Sequence, residues 1–436
     1  MRARQTLPRG LSLLFTVVAA GVSCDSATEP PPLPVSLSVI PSAFTLRAPD
    51  SLRPAVIARD SAGRNLEGVT VAWISEDTMI ATVSGDGMVT ARGAGRTRIV
   101  VGTGSLLATA DVRVETQYET LSRWCGVATN GTAHCWSLPE GLPFPVPIQE
   151  RLAHVGSTAW FQGPDLDPTS RACAAGMSGA LYCWKLAVSV VTDEGRVLRA
   201  DALQQMPQSV DFAKVDVGWT HSCALDTEGD AYCWGTEPIG SNRWGQMGIG
   251  TTDLDEHPTP EAVLGGLKFR DIVAGNGYTC AVDTEGHAHC WGLAHDGQLG
   301  IGIDTLRVLP VRVETAASFV TLSAESSRVC GLTADAQVVC WGRRSPEAGQ
   351  KPFVLPGDLR YRAVAVHGHN RACAITEEGK LMCWDLLEPP TEHPNTAHLR
   401  FQELAQNGYC GIAEDDLAYC WYHDSLPALP VQYQWH

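Results

Sequence analysis

A chain of 436 residues exceeds a single ordinary core, so two or more domains are expected. Thirty-two basic against 48 acidic residues leave a formal charge of −16, which opposes binding to phosphate backbones and argues against nucleic acid as a partner. Fifteen Cys are too many for a reducing compartment unless they bind metal or do redox chemistry, and no apolar run reaches the roughly eighteen residues of a membrane-spanning helix.

Arg2, Arg4 and Arg9 precede the apolar run 11–22, and small residues follow up to Cys24. A basic region, a short apolar run and small residues before a processing point read as an export signal over 1–23. Gly21-Val22-Ser23-Cys24 resembles a bacterial lipobox, with Gly21 where Leu is usual. That resemblance implies a diacylated Cys24 as the first mature residue, hence a lipoprotein of the bacterial cell envelope that meets membrane only through its anchor. The outer membrane or cell surface is favoured over the inner membrane, and simple secretion is the alternative. Loss of 1–23 removes three Arg and takes the mature charge to −19. Residues 24–34 are Pro-rich and lack apolar periodicity, a tether biased to polyproline II that reaches roughly 30 Å.

Residues 35–115 hold no Cys, and short alternating apolar runs are separated by turn residues. Ser84-Gly85-Asp86-Gly87 is a hairpin signal, and Trp73 is expected between two sheets. Val71-Ala72-Trp73-Ile74-Ser75, Ile80-Ala81-Thr82-Val83 and Gly87-Met88-Val89-Thr90-Ala91 resemble the bacterial immunoglobulin-like group 2 domain. The resemblance implies a β-sandwich that serves as a spacer in exported proteins.

The other fourteen Cys form seven pairs, each ten positions apart. Cys125 is matched with Cys135, Cys173 with Cys183, Cys223 with Cys233 and Cys280 with Cys290. Cys330 with Cys340, Cys373 with Cys383 and Cys410 with Cys420 complete the set. A Trp follows every second Cys, and first Cys recur every 37 to 57 residues, the mark of a repeat architecture. Pairing Cys223 with Cys233 across a hairpin leaves Thr227-Glu228-Gly229 as the loop, with Gly at the left-handed position. Gly131, Gly179, Gly286 and Gly379 share that offset; Ala336 and Asp416 are the exceptions. Two Cys directly opposite on antiparallel strands lie within disulfide range. Zinc needs shorter chelate spacings, and His287 with His289 lacks a third ligand, so no metal is expected.

A strand-like run precedes each pair and a Pro-led apolar run follows, giving four strands per unit and a β-propeller. Residues 430–433 are expected to complete the first sheet and close the ring. Gly275-Asn276-Gly277-Tyr278-Thr279-Cys280, Cys290-Trp291-Gly292 and Gly297-Gln298-Leu299-Gly300 resemble the regulator of chromosome condensation repeat family. Gly218-Trp219-Thr220-His221-Ser222-Cys223 and Gly245-Gln246-Met247-Gly248 repeat the match one unit earlier. The resemblance implies that 118–436 is a seven-bladed propeller, so the whole chain reads as all-β: an immunoglobulin-like sandwich, then a propeller with one disulfide per blade.

Two positions before each first Cys stand Arg123, Arg171, His221, Tyr278, Arg328, Arg371 and Gly408. Either these side chains bond carbonyls of neighbouring sheets, or they form a basic collar for an anionic partner. Trp160, Arg243, Trp244 and His257 lie in longer loops, where binding residues gather. No hydrolase elbow, zinc-protease helix, phosphate loop or dinucleotide fingerprint occurs, so neither catalysis nor a cofactor is expected. The reading is a monomeric, non-catalytic platform for a protein partner at the envelope. A carbohydrate-binding or adhesion module is the alternative. Nucleotide-exchange activity, which the family resemblance also implies, fits poorly with export and acidity.

Overall fold

The computed structural model describes residues 32–436 except 48, 79, 94, 137–142, 159–160, 163–164, 167–169, 193–194, 208, 236–241, 344–350, 368–370, 386–387, 407, 422–428 and 431–436. Cys24 and the export signal therefore lie outside the described residues, as does Trp160. The chain divides into two compact units, one ending at Arg113 and one running Val114–His436. Both are built of antiparallel strands, with one short 3-10 turn at Pro394–Thr396 among the described residues.

In the first unit, Ser36–Ile40 pairs with Ala55–Arg59, which pairs in turn with Asn65–Leu66. A second sheet orders Ala43–Arg47, Leu106–Glu115, Gly95–Thr103 and Ala72–Ser75. Alternation along these strands puts Val39, Val101 and Ala110 inside, with Phe44, Val56 and Trp73 packed against them. Ser84-Gly85-Asp86-Gly87 does turn a hairpin, with Gly87 N–H donating to Ser84 O at 2.9 Å. Gly87 has φ +84, and a Cβ there would lie 2.6 Å from the Trp73 ring, so both backbone and packing demand glycine.

The second unit holds seven successive four-stranded sheets among the described residues. Their first, inner strands are Tyr118–Leu121, Leu152–Thr158, Phe212–Val217, Phe269–Ala274, Phe319–Glu325, Tyr361–His367 and Phe401–Leu404. Each sheet pairs its strands in chain order, and each neighbouring pair of sheets shares one apolar cluster. The Trp after each second Cys fills the seam with the preceding sheet. Trp341 packs with Tyr278 and Leu299, Trp291 with Leu225 and Met247, and Trp136 with Ile412 and Ala418. The Gly-Gln-Leu-Gly element makes room for this ring. A Cβ on Gly248 would meet Trp291 Nε1 at 2.8 Å, and Trp341 Nε1 donates to Gln298 O at 3.0 Å.

The ring closes differently from the expectation. Leu429–Pro430 pairs with Ala418–Cys420 in the last sheet, and the first sheet has its own fourth strand at Phe144–Pro145. First and last sheets meet side by side, joined by a bridge between Gln117 and Leu417 and by Tyr118 N–H donating to Asp416 O at 3.0 Å. Among the described residues no strand is exchanged, and residues 431–433 lie outside them.

The second and third strands of every sheet form a hairpin in which the two Cys stand directly opposite each other. Cys125 is bonded to Cys135, Cys173 to Cys183, Cys223 to Cys233 and Cys280 to Cys290. Cys330 is bonded to Cys340, Cys373 to Cys383 and Cys410 to Cys420. The Cα atoms of each disulfide are 4.0 or 4.1 Å apart, a little closer than expected for strands in direct opposition. In the third sheet Asp226 Oδ1 accepts Glu228 N–H at 2.9 Å and Asp230 N–H at 2.8 Å, so a side chain organises the loop from its first position. Asp283 does the same in the fourth. Ala336 and Asp416 adopt φ of 63 and 62, the left-handed conformation that glycine supplies elsewhere. Ala336→Gly is therefore expected to stabilise the propeller by about 0.5–1 kcal/mol, read as a higher urea midpoint. An unchanged or lower midpoint would count against it.

Candidate functional site: the axial channel

Every inner strand carries a bulge just after its first residue. The register shifts between Tyr118 and Thr120, Leu152 and His154, Phe212 and Lys214, Phe269 and Asp271, Phe319 and Thr321, Tyr361 and Ala363, and Phe401 and Glu403. An inserted residue re-aims the side chain that follows it. Equivalent positions thus bring Thr120, His154, Lys214, Asp271, Thr321, Ala363 and Glu403 to one level of the ring. All but Asp271 line a cavity of about 270 Å³, together with Ser323, Arg362, Gln402 and Gln406. Two residues further along stand Ser122, Gly156, Asp216, Val273, Ser323, Ala365 and Ala405. Most are small, and a Cβ on Gly156 would lie 2.8 Å from Val215 O, so the inner strands converge below the cavity.

The charges here are held tightly. The Lys214 ammonium pairs with Asp271 Oδ1, while Asp271 Oδ2 accepts Thr321 Oγ1 at 2.8 Å and Leu322 N–H at 2.7 Å. Burial works against the Lys214 charge, but Asp271 holds the ammonium above its ordinary value. Burial pushes the Glu403 carboxyl up to about 7, against the Leu121 N–H on its Oε1 at 2.9 Å and the nearby Lys214 charge. Burial drives His154 down to about 3, so its ring is neutral. Asp216 Oδ2 accepts Ala274 N–H at 2.7 Å, and burial raises its carboxyl in spite of the Arg123 charge.

A second polar contact spans the ring. Arg123 Nη1 reaches Glu325 Oε2 at 2.9 Å, its Nη2 donates to Ala324 O at 2.6 Å, and Trp219 Nε1 donates to Glu325 Oε1 at 2.8 Å. Arg123 comes from the first sheet, Trp219 from the third and Glu325 from the fifth, so the contact crosses the axis.

This corrects the basic collar. Arg123, His221, Tyr278 and Arg328 are buried, at 0–3% exposure, and so are withdrawn from solvent. His221 Nε2 bonds Thr279 Oγ1 at 2.6 Å, Tyr278 OH donates to Arg328 O at 2.9 Å, and the half-buried Arg171 donates to Gly218 O at 3.4 Å. Arg371 is half-buried opposite His367, and Gly408 has φ +65. For Arg123, Arg171, His221 and Tyr278 the geometry supplies side-chain bonds to other sheets.

Trp244 lies half-buried against Gly277, with the Arg243 guanidinium 5.6 Å from its ring. His257 sits between Asp253 Oδ1 at 2.8 Å and Glu261 Oε1 at 2.6 Å. Burial disfavours its charge, yet the two carboxylates hold the ring above its ordinary value. His287 and His289 both bond Asp283 Oδ2, at 3.2 and 2.9 Å, and no metal-holding group of three such side chains occurs among the described residues.

Buried neutral histidines set an acid limit. Burial lowers His134 to about 4 and His221 to about 3. Below pH 6.5 the unfolded chain takes up protons that the folded one refuses, so stability falls with pH, by roughly 2 kcal/mol per histidine at pH 5. Glu403 has the opposite sign: its contribution is present below the unfolded carboxyl value and is lost as pH rises through about 7. Neither ring nitrogen of His134 has a partner. His134→Leu is therefore expected to stabilise the propeller by about 1–2 kcal/mol at pH 7 and by more at pH 5, as measured by urea unfolding. A gain that is the same at both pH values, or a loss, would exclude this origin.

Regulator of chromosome condensation (RCC1) repeat models match residues 212–238, 269–298 and 228–282. Human E3 ubiquitin-protein ligase HERC2 is 30% identical over 159 residues, 36% of this chain and 3% of that protein. The ultraviolet-B receptor UVR8 of Arabidopsis thaliana is 32% identical over 100 residues, 23% of this chain and 22% of its own. The chain thus spans only a small part of these relatives. The crystal structure of human WBSCR16 superposes with a TM-score of 0.51 at 14% identity, over 64% of this chain and 78% of that one, a likeness of fold. Together with the sheet order, the matched repeats support a propeller of the regulator of chromosome condensation type.

Proposed function

We propose that the chain is an exported, lipid-anchored and monomeric envelope protein, whose seven-bladed propeller recognises a protein partner without catalysis and is carried on an immunoglobulin-like spacer. The observation that supports the reading is the set of seven in-register disulfides, a kind of cross-link that persists chiefly in oxidising compartments. Residues 116–436 hold 21 Lys and Arg against 38 Asp and Glu, so the partner surface is basic and is met faster at low salt. Repeats of this type in an exported chain favour a platform over the exchange activity that the family resemblance implies. The test is capture from envelope extracts with the full mature chain, followed by rebinding of the purified catch. A captured protein that rebinds saturably, and more weakly in about 0.5 M salt, is expected. Retention on a glycan array with no protein recovered would overturn the platform. Cys24→Ser is expected to move the chain from the detergent to the aqueous phase; an unchanged partition would remove the lipid.

A further inference from the structure

An ionised carboxylate accepts hydrogen bonds and donates none, so a ring nitrogen that bonds one must carry a proton. His257 meets a carboxylate at each nitrogen: Nε2 lies 2.8 Å from Asp253 Oδ1 and Nδ1 lies 2.6 Å from Glu261 Oε1. Only the imidazolium makes both bonds at once. The two carboxylates stand at opposite ring nitrogens and do not converge on one point, so the cluster suits a proton and not a metal. Gly235, opposite His257 on the third strand, carries no charge, and the charged groups facing the ring are Asp253 and Glu261.

These bonds join two parts of the third sheet. His257 and Glu261 belong to its outer strand, His257–Ala262, and Asp253 to the loop before it. Earlier in that loop Met247 is fully buried in the seam with the fourth sheet, and Gly250 N–H donates to Val308 O of the fourth sheet at 3.1 Å. Beyond Gly250 the segment 251–256 is held locally. Asn242 Nδ2 donates to Thr251 O at 2.7 Å, Asn242 O accepts Asp253 N–H at 3.3 Å, and Asp253 Oδ1 accepts Asp255 N–H at 3.3 Å. The segment carries Leu254 into solvent at 76% exposure.

We propose that His257 is a proton-operated clasp, closed over segment 251–256 when its ring is charged and released from one carboxylate when the ring is neutral. A neutral ring donates through one nitrogen only and turns a lone pair on the other carboxylate. Burial opposes the charge, yet Asp253 and Glu261 together hold the ring above its ordinary value. The clasp therefore gives its full stability below about 6.5, the value of a histidine in an unfolded chain, and loses it as pH rises through the folded value. His134 and His221, lowered by burial, run the other way, so acid strains the core while mild base frees this loop. The outer rim then presents an ordered segment in mild acid and a loose one in mild base. The inference stands apart from the platform reading, since a proton is its only ligand.

The test is an NMR titration of the full chain carrying isotope-labelled histidine, with the His257 signal identified by its loss in His257→Gln. Hydrogen exchange of the segment 251–256 is followed alongside, from about pH 6 to about 8.5, each rate divided by that of an unstructured chain at the same pH. His257 is expected to titrate above about 6.5. Protection of the Asp253 and Asp255 N–H groups is expected to fall about threefold or more over the range. In His257→Gln protection is expected to be low and flat. Glu261→Gln keeps an acceptor but removes a charge, and is expected to bring the titration toward the ordinary value and to shrink the change in protection. Exchange in the strand Tyr278–Asp283 reports that each variant is folded. The proposal falls if His257 titrates at or below its ordinary value, if protection in the parent does not change with pH, or if His257→Gln shows the same change as the parent.

Discussion

Arg123→Met is expected to destabilise the propeller by about 3–5 kcal/mol, because it leaves the Glu325 carboxylate buried without its counter-charge. Two other bonds are lost or weakened with it: Arg123 no longer donates to Ala324 O, and Trp219 Nε1 is left on an uncompensated acceptor. Urea unfolding followed by Trp fluorescence reads the cost. The decisive variant is Arg123→Met with Glu325→Leu, which replaces the pair by apolar groups of similar length. Buried pairs contribute little net stability because desolvation offsets their attraction, so the double variant is expected to be more stable than Arg123→Met alone. A double variant that costs the sum of its singles would mean that the pair contributes no coupling and does not hold the first and fifth sheets together.

Reduction of the seven disulfides is expected to have the largest effect of all. Each closes a short loop, and chain entropy allows at most about 3 kcal/mol apiece, less where the hairpin already restrains the unfolded chain. Even about 1 kcal/mol each removes a large part of the roughly 5–15 kcal/mol that holds an ordinary domain together. Calorimetry with and without a phosphine reductant is expected to show the propeller transition falling by about 10 °C or more. A transition that does not move on full reduction would mean that sheet packing alone holds the ring, and would weaken the case for an oxidising compartment.

The sequence made the hairpins legible because three constraints coincided in one short window: Cys at a fixed spacing, Gly at the left-handed position and Trp after the second Cys. Two of the seven loops break the glycine rule, at Ala336 and Asp416, and the backbone still takes the same turn there. The Cys spacing was strong enough to carry both exceptions, since Cys330 still meets Cys340 and Cys410 still meets Cys420. The Trp pattern was visible but its role was not, since a seam between sheets joins residues of two different units. Ring closure misled for a local reason. Residues 430–433 look like a strand, whereas Phe144–Pro145 is a two-residue strand too short to show any periodicity. Sequence position did not reveal that Arg123, His221, Tyr278 and Arg328 are buried. Arg123 and Arg328 are both buried, and the inner strands approach closely at Gly156. The axial cavity was hidden by the bulges, because one inserted residue reverses the alternation by which inward and outward side chains are told apart.

Because each sheet is one length of chain, the closing seam is packed like the other six and differs in that no chain crosses it. The ring resembles a split washer whose two ends are held by packing, and the split has no privileged position. Joining residues 118 and 430 by a short linker and opening the chain between any two other sheets is a change of wiring alone. By the same logic a duplicated or deleted unit leaves every remaining sheet intact, so the number of sheets is set by how well the circle shuts.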